Sequence, residues 1–504
     1  MFRVHRILAA YAVAIPLALI LGYLIATPDM ASAAVVGMVL FFLALPLLIQ
    51  WNHGLLIFFW NSAFIAGFLP GQLQIWTIFA MLTFVMGMVH RVMGHRSFLR
   101  APELTKPILF LAAVVVLTAK IQGGVGLRVL GSGSFGGKNY FYVLSAIIGY
   151  FALTSQSVSI LKSTRAVKWF FLSGLSQGLS NLAYTLGPAF YFIFFFVSTA
   201  SAEGQAAADW RPDLVKRLAS LAPCATGLLG FCLARWGLRG LLAWNKPWRP
   251  LLFIAALTTA LFSGFRSEIL LLGVLLVVQF IIEGLWKTAV LPAFAFLGVL
   301  CLIPMLLFAN KTPGAVQRAL AFLPVRIDPQ VRYEATASSE WRIEMWREVW
   351  PQVPKYLLIG KGYAIDPLDL YLTSEAARMG IISTYEASIL AGDYHNGPLS
   401  VLMPFGLFGA IAFLWVLGAG IKVLNCNRRY GDPRLKSIND FFLSFFLAQS
   451  LVFFFVFGAL NSQLSVFLGI LGLSVSLNGG VCRKKALARP GAVEPSLATS
   501  FAMG

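Results

Sequence analysis

Long apolar runs recur along this chain and limit what it can fold into. Many extend for about 17 to 25 residues, the length that crosses a hydrocarbon core of roughly 30 Å as an α-helix. Only 12% of the residues are charged and 59% are hydrophobic, which excludes an ordinary soluble globule. Strands of a membrane barrel would be shorter and would alternate apolar with polar residues. The sequence therefore predicts an all-α, polytopic bundle of transmembrane helices.

The apolar runs define about fourteen candidate spans and divide the chain into four parts. The spans are 7–26, 31–50, 54–70, 72–90, 107–122, 140–160, 168–198, 214–234, 250–264, 266–286, 288–308, 397–423, 440–459 and 463–478. The run 168–198 fits one long helix or two short ones. Residues 1–308 and 397–478 are assigned to the membrane domain, and 309–396 to a large loop with short helices that covers the site. Residues 479–504 are predicted to be a disordered cytoplasmic tail.

Basic residues cluster in short segments between the apolar runs. The net charge of +19 would suggest nucleic acid in a soluble protein, but alternating spans place these segments on one side of a membrane. By the positive-inside rule that side is cytoplasmic, so both termini are predicted to be cytoplasmic and the 309–396 loop extracytoplasmic. The first run, 7–26, is longer than the core of a secretory signal, and we interpret it as an uncleaved span. We expect no nucleic-acid partner.

Two patterns that could suggest cofactors lack the context they need. Residues Gly131 to Gly136 match the dinucleotide-binding glycine pattern, but without a preceding strand and a crossover helix they are better explained as a flexible connection. The five cysteines have no paired spacing of metal ligands or of a disulfide framework. We expect no cofactor, no metal and no disulfide. Lys138, before the next span, fits a snorkelling anchor or a contact to a ligand at headgroup height.

Small polar residues recur at helical spacing within the run 168–198. They are Ser173, Ser176, Gln177, Ser180 and Asn181. On one helix they would share a face. Such residues usually mediate helix packing in lipid, and a groove for substrate is the alternative.

An arginine and a glutamate stand at the start of the apolar helix predicted over 269–282. An ionised side chain near hydrocarbon is costly unless it is paired or solvated, which makes Arg266 and Glu268 candidates for a functional site. Arg266 is predicted on the same side as the loop and at a helix N-terminus, where backbone amides favour a bound anion. A snorkelling arginine bridged to Glu268 is the structural alternative.

The loop carries a second arginine on a short predicted helix, 340–350. Ser338 or Ser339 can cap this helix, and the proline that follows it limits its length. Its aromatic and basic residues fit a helix in the interface plane that holds Arg342 at phosphate height, or a simple interfacial brace. Lys361, between two glycines, offers a turn and an anion contact.

A histidine closes the loop directly before the span 397–423. His395 can act as a base near neutral pH, and Asn396 beside it could orient a hydroxyl or a sugar. A purely structural histidine is the alternative. Together with Arg266 and Arg342 on the same face, His395 suits a reaction that deprotonates an alcohol and expels a diphosphate.

The order of these residues resembles the superfamily of O-antigen ligases and polysaccharide polymerases, over about residues 250–415. The similar pieces are Ser263-Gly-Phe-Arg266, Arg342 with Met345-Trp346, Leu358-Ile-Gly360-Lys-Gly362-Tyr, and His395-Asn396 with Leu399, Leu402 and Gly406-Leu407-x-Gly409. The resemblance implies a GT-C-like helical membrane fold. It also implies a metal-independent, inverting transfer of a glycan from a polyprenyl diphosphate carrier.

By residue match, the resemblance gives roles to the three candidates. Arg266 and Arg342 would bind and stabilise the diphosphate leaving group, and His395 would activate the acceptor hydroxyl. Asn396 is a further candidate for binding the glycan or the diphosphate. Lys361 and Lys138 are candidates of the same kind.

The implied partners are the polyprenyl-diphosphate-linked glycan, a saccharide or glycolipid acceptor, and membrane lipid. Chain-length regulators or other envelope-assembly proteins are the expected protein partners. The implied location is the bacterial inner membrane, with the active site on its extracytoplasmic side. Polymerase and ligase both stay open, and the span count favours a polymerase. A transporter or flippase of the same lipid-linked sugar is the alternative, and it would be expected to show discontinuous helices and coupling groups at the membrane midplane.

Overall fold

Helices make up nearly all the regular structure in the computed structural model of the protein. It describes residues 15–16, 18, 22, 30–67, 69, 71–94, 98–125, 136–210, 215–243, 245–288 and 290–483. Most of the predicted first span, most of the dinucleotide-like glycine pattern and the tail after residue 483 lie outside these residues. The all-α prediction is confirmed.

The helices are numbered in chain order. They are α1 Met30–Phe59, α2 Ile75–Val92, α3 Pro102–Gln122, α4 Gly137–Leu153, α5 Ile160–Leu172, α6 Gly178–Leu186, α7 Ala200–Trp210, α8 Leu221–Leu241, α9 Trp248–Phe262, α10 Arg266–Ile282, α11 Val290–Phe308, α12 Gly314–Ala319, α13 Pro329–Val349, α14 Val353–Tyr356, α15 Pro367–Arg378, α16 Thr384–Ala391, α17 Gly397–Tyr430, α18 Lys436–Phe455 and α19 Leu460–Asn478. A short antiparallel hairpin joins β1 Ile65–Ala66 to β2 Leu73–Gln74.

Several of these helices are long and apolar enough to cross a membrane. Among the described residues they number six, namely α2, α3, α8, α17, α18 with the turn before it, and α19. The second half of α1 and the whole of α9 are shorter apolar helices. The chain is therefore a helical membrane protein. The count of about fourteen spans stays a prediction.

The predicted spans 31–50 and 54–70 are wrong as separate helices. One continuous helix, α1, replaces them, and the chain then turns through the β1–β2 hairpin. Polar residues near position 52 suggested a break, but the structure pairs them within the bundle. The Asn52 amide donates to a carbonyl one turn earlier, and the His53 ring lies 2.9 Å from the Leu153 carbonyl oxygen. Replacing two predicted spans by one helix removes one predicted membrane crossing. The alternation of spans therefore no longer predicts a cytoplasmic N-terminus.

The run 168–198 is divided into short helices, as one of its two interpretations expected. A 3-10 helix, Ser173–Gln177, separates α5 from α6, so the predicted polar stripe does not follow one α-helix. Its members still join neighbouring elements. The Asn181 amide donates to the Gln205 side chain at 2.7 Å, and the Ser180 hydroxyl accepts from the Ala202 amide at 3.2 Å. These bonds favour the packing role.

A tight turn at Gly360–Gly362 packs into the kink of α17, where Gly406 has a φ of 62°. The amides of the last two turn residues donate to the carbonyls of Met403 and Pro404, at 2.7 and 3.0 Å. A β-carbon on Gly360 would lie 2.2 Å from the Pro404 carbonyl oxygen, so a side chain does not fit there. These turn amides stabilise α17, and the predicted anion contact could come only from other groups of the turn.

The 309–396 segment contains α12 to α16 and two small apolar clusters of its own. The helix predicted over 340–350 is longer, because Asp328 caps α13 by accepting from the Gln330 amide and Pro329 occupies its first turn. Ser339 is therefore an interior residue of α13 rather than its cap. The second cluster joins Met345 of α13 to Tyr394 and to the start of α17, and so positions α13 beside the turn that carries His395.

Candidate active site

Two arginines from distant parts of the chain meet where α10 and α13 come together. Nη2 of Arg266, the first residue of α10, donates to the Ser339 hydroxyl at 3.1 Å. Arg342 lies three residues after Ser339 on α13 and so shares that side of the helix. Burial lowers the pKa of Arg342, and the positive charges of Arg266 and Arg217 lower it further, although Asp393 opposes them. Like charges held together in this way create a strong field for a bound anion.

Phe457 connects the arginine pair to the histidine. The Arg342 guanidinium lies 5.8 Å from the centre of the Phe457 ring. The His395 ring contacts the same phenyl group edge to face, with 5.4 Å between ring centres. On its other side His395 contacts Trp341, also at 5.4 Å. The structure therefore brings Arg266, Arg342 and His395 to one place.

The backbone of the His395 turn is held in a costly conformation. His395 has a φ of 49°, in the left-handed region that residues other than glycine rarely adopt. Such strain persists only where neighbouring contacts fix the chain, and it is common at functional sites. Here the Trp346 indole donates to the Tyr394 carbonyl at 2.8 Å, and the Asn396 side-chain oxygen caps α17 by accepting from the Leu399 amide.

Asp393 orients the imidazole. Its Oδ1 lies 3.1 Å from Nδ1 of His395, whose side chain is 25% exposed. Burial raises the pKa of Asp393, but the hydrogen bonds and charge of His395, with the charge of Arg342, outweigh it and lower the pKa overall. Because Nδ1 faces this carboxylate, Nε2 is the ring nitrogen that can meet an acceptor.

Two further arginines that the sequence did not single out lie beside the pair. Arg318 of α12 is 5% exposed, forms an ion pair with Glu334 at 3.0 Å, and donates from Nη1 to the Gly264 carbonyl. The Arg217 guanidinium lies 5.7 Å from the centre of the Phe265 ring. Burial and the charge of Arg217 lower the pKa of Arg318 to about 10, with Glu334 opposing and Arg266 adding to the shift. Only tertiary packing brings these residues together, so no local pattern could identify them.

The other residues predicted to contact substrate have different surroundings. Lys361 belongs to the turn that packs on α17, and Lys138 is an exposed residue at the start of α4. Glu268 does not pair with Arg266, because its carboxylate accepts from the Thr226 hydroxyl of α8. Asn396 uses its side-chain oxygen as a helix cap. Contacts from Lys361, Lys138 and Asn396 to a substrate stay predictions.

The acidic, histidine and cysteine side chains form no cluster of three or more that could hold a metal, within the described part of the chain. Arg266 and Arg342 are cationic, and His395 can carry a proton. Together these side chains suit a phosphate-containing ligand that transfers a group to a hydroxyl. The guanidinium groups would contact the phosphate oxygens, and the imidazole would contact the hydroxyl.

The fold and this centre define a helical membrane protein with an arginine and histidine site. Residues 251–414 match the family described as O-antigen ligase, and the matched segment contains Arg266, Arg342 and His395. Over this part of the chain, the match confirms the resemblance to the O-antigen ligase-like superfamily. It indicates a membrane glycosyl-transfer enzyme of the ligase or polymerase kind. No curated protein matches the chain significantly.

Proposed function

We propose that the protein transfers a glycan from a polyprenyl diphosphate carrier to a hydroxyl group of a saccharide or lipid-linked acceptor. The observation that carries this proposal is that Arg342 and His395 contact the same ring of Phe457, while Arg266 bonds to Ser339 one turn before Arg342. Arg217 and Arg318 add positive charge nearby. A lipid diphosphate suits this setting, because its anionic group matches the arginines and its tail belongs in the membrane.

In the proposed reaction the acceptor oxygen attacks the anomeric carbon and forms the new glycosidic bond. The bond from that carbon to the phosphate oxygen breaks, and the diphosphate leaves with the bonding electron pair. Arg266 and Arg342 stabilise the charge that develops on the leaving group. His395 takes the hydroxyl proton on Nε2 while Asp393 holds Nδ1. A single displacement of this kind inverts the anomeric configuration. None of the proposed steps uses a metal ion.

We place the site on the extracytoplasmic side of the bacterial inner membrane, because basic residues cluster in the segments that face away from it. The 309–396 segment then covers the diphosphate at the outer surface, with α13 supplying one arginine and α10 the other. Chain-length regulators or other envelope-assembly proteins are the partners we propose for an enzyme of this kind.

The test uses purified protein in nanodiscs, the polyprenyl-diphosphate-linked glycan, the acceptor and a chelator. Wild type should form a new glycosidic bond, and His395→Ala should lose at least about 100-fold in rate, the scale of a lost general base. His90→Ala, near the last turn of α2, is the matched control and should keep activity. A ladder of products would indicate a polymerase and a single addition a ligase. Movement of intact donor across liposomes without a new bond would favour the transporter.

A further inference from the structure

A large cavity with both polar and apolar residues in its wall lies inside the membrane domain and reaches the first turn of α10, which also carries Arg266. Its volume is about 680 Å³, within the roughly 300–1,000 Å³ typical of small-molecule sites. It is lined by residues from the starts of α4, α8, α10 and α19, from the β1–β2 hairpin and from α18. Arg266, Arg342 and His395 are not among its lining residues, whereas Lys138, a predicted substrate contact, is one of them.

The cavity adjoins the reacting centre along two elements. Glu268 lines the cavity and stands two residues after Arg266 on α10, about 3 Å further along the helix axis. On the opposite wall, Asn461 follows Phe457 by four residues. The cavity and the arginine site therefore share the first turn of α10, from which Arg266 points to Ser339 of α13 and Glu268 to Thr226 of α8.

Two glutamines in the cavity wall carry buried oxygen atoms that lack partners. Oε1 of Gln449 and Oε1 of Gln463 accept no hydrogen bond from any described residue, and Gln449 is only 6% exposed. A buried polar atom without a partner costs free energy and is rare in native structures. Two of them in one cavity wall indicate a ligand that brings hydrogen-bond donors.

The other residues that line the cavity indicate which chemical groups the ligand carries. Trp60 and Trp76 stand side by side with 5.2 Å between ring centres, and both line the cavity with the amide groups of Asn139 and Asn461. Indole rings contact apolar faces, while amides pair with hydroxyl groups in both directions. Of the described residues in the wall, one is basic, Lys138, and one is acidic, Glu268, so the wall does not favour a strongly charged ligand. A hydrocarbon tail would leave the amides unpaired.

We propose that this cavity binds the saccharide next to the reacting bond, with its hydroxyls on Gln449 and Gln463 and its apolar face on the indoles. The inference rests on the proposed function, because it takes the saccharide to belong to the donor or the acceptor of that reaction. Both sources share the same chemistry.

The test replaces each glutamine by methionine, which has similar length and removes the amide. Gln449→Met and Gln463→Met should fold as well as wild type, because each removes a buried, unpaired oxygen. Gln279→Met is the control outside the cavity: Gln279 is fully buried on α10, its Oε1 is unpaired, and its Nε2 donates to Glu283 at 2.6 Å. Thermal unfolding and size-exclusion profiles verify that all three variants are folded.

Binding is measured by saturation-transfer NMR on protein in nanodiscs with three separate probes. They are the saccharide released from the donor by mild acid, the saccharide of the acceptor, and inorganic diphosphate. We expect the double variant, Gln449→Met with Gln463→Met, to bind one of the two saccharides at least about tenfold more weakly than wild type. This is the loss expected when two hydrogen bonds are removed. The saccharide whose binding is weakened shows whether the cavity binds the donor or the acceptor. Diphosphate binding and the Gln279→Met control should stay unchanged.

The inference would be overturned if the double variant bound each saccharide as well as wild type does. It would also be overturned if wild type bound neither saccharide. The proposed function fails separately, if wild type does not bind diphosphate or if Arg266→Ala binds it as well as wild type. Selective loss of a saccharide in the cavity variants would support the cavity as a sugar site even in that case.

Discussion

The guanidinium group of Arg266 donates a hydrogen bond to the Ser339 hydroxyl across 3.1 Å, and this bond joins the first residue of α10 to the middle of α13. Ser339 also donates to the Ala335 carbonyl of its own helix at 3.2 Å, which fixes the direction of its hydroxyl. The contact places Arg266 on the side of α13 that carries Arg342. With the bond from Arg318 to the Gly264 carbonyl, it links the membrane bundle to the 309–396 segment at the proposed site.

Replacing either arginine of the pair by lysine should reduce glycan transfer strongly. Lysine keeps the charge but loses the planar fork that binds two phosphate oxygens. We expect Arg266→Lys and Arg342→Lys each to lower kcat by about 100- to 1,000-fold, the cost of losing one donor that stabilises transition-state charge. Arg347→Lys, at an exposed position of the same helix, is the control and should act like wild type. Full activity in both lysine variants would exclude the assigned role.

Phe457 should matter because it contacts both Arg342 and His395. A cation over an aromatic ring contributes roughly 0.5–2 kcal/mol, so we expect Phe457→Ala to lower kcat/KM about tenfold. Phe457→Tyr keeps the ring and should stay close to wild type. Phe455→Ala removes a ring that is 81% exposed at the end of α18 and serves as the control. Equal activity in Phe457→Ala and Phe455→Ala would contradict the link.

The contribution of Asp393 to stability should depend on pH. Its pKa is lowered in the folded protein, chiefly because His395 and Arg342 overcome the effect of burial. A carboxyl with a depressed pKa adds stability that is fully present above its unfolded pKa of about 3.9 and is lost as pH falls through its folded value. The Tm difference between wild type and Asp393→Asn should therefore be constant from about pH 7 to 5 and shrink below about pH 4. A difference that persists unchanged at pH 3 would refute this origin.

The buried ion pair between Arg318 and Glu334 should be important for folding. Removing one partner of such a pair leaves an uncompensated charge, so Glu334→Ala should cost about 3–5 kcal/mol. Glu334→Gln should cost less, because it can still accept the hydrogen bond that Val215 donates. Asp209→Ala breaks the exposed pair with Lys216 and should change little. Thermal unfolding compares all three variants, and a fully stable Glu334→Ala would show that the pair is dispensable.

The sequence predicted the all-α fold correctly, and it supplied Arg266, Arg342 and His395 as candidates for the site. Apolar runs located α17 and α19 closely, because length and hydropathy alone decide whether a segment can cross lipid. Ordered motifs identified Arg266, Arg342 and His395. The division of α1 was wrong because Asn52 bonds to a carbonyl of its own helix and His53 contacts the Leu153 carbonyl, a contact between distant segments that no local pattern reveals.

Other parts of the site depend on contacts between distant segments. Ser339 was interpreted as a helix cap and is instead the acceptor for Arg266, since Asp328 begins α13 earlier. Phe457 lies in an apolar connection that resembles many others in the chain. Arg217 reaches the site only through the folding of separate segments, and no local pattern predicts such packing.

The most direct test of the account measures release of free polyprenyl diphosphate from the lipid-linked glycan by mass spectrometry, with chelator present. We expect wild type to release it only when acceptor is present, in equal amount to the new glycosidic bonds. His395→Ala should still bind inorganic diphosphate but release almost no carrier, and Arg266→Ala should lose both. Equal release by wild type and His395→Ala, or transport of intact donor without any release, would contradict the account.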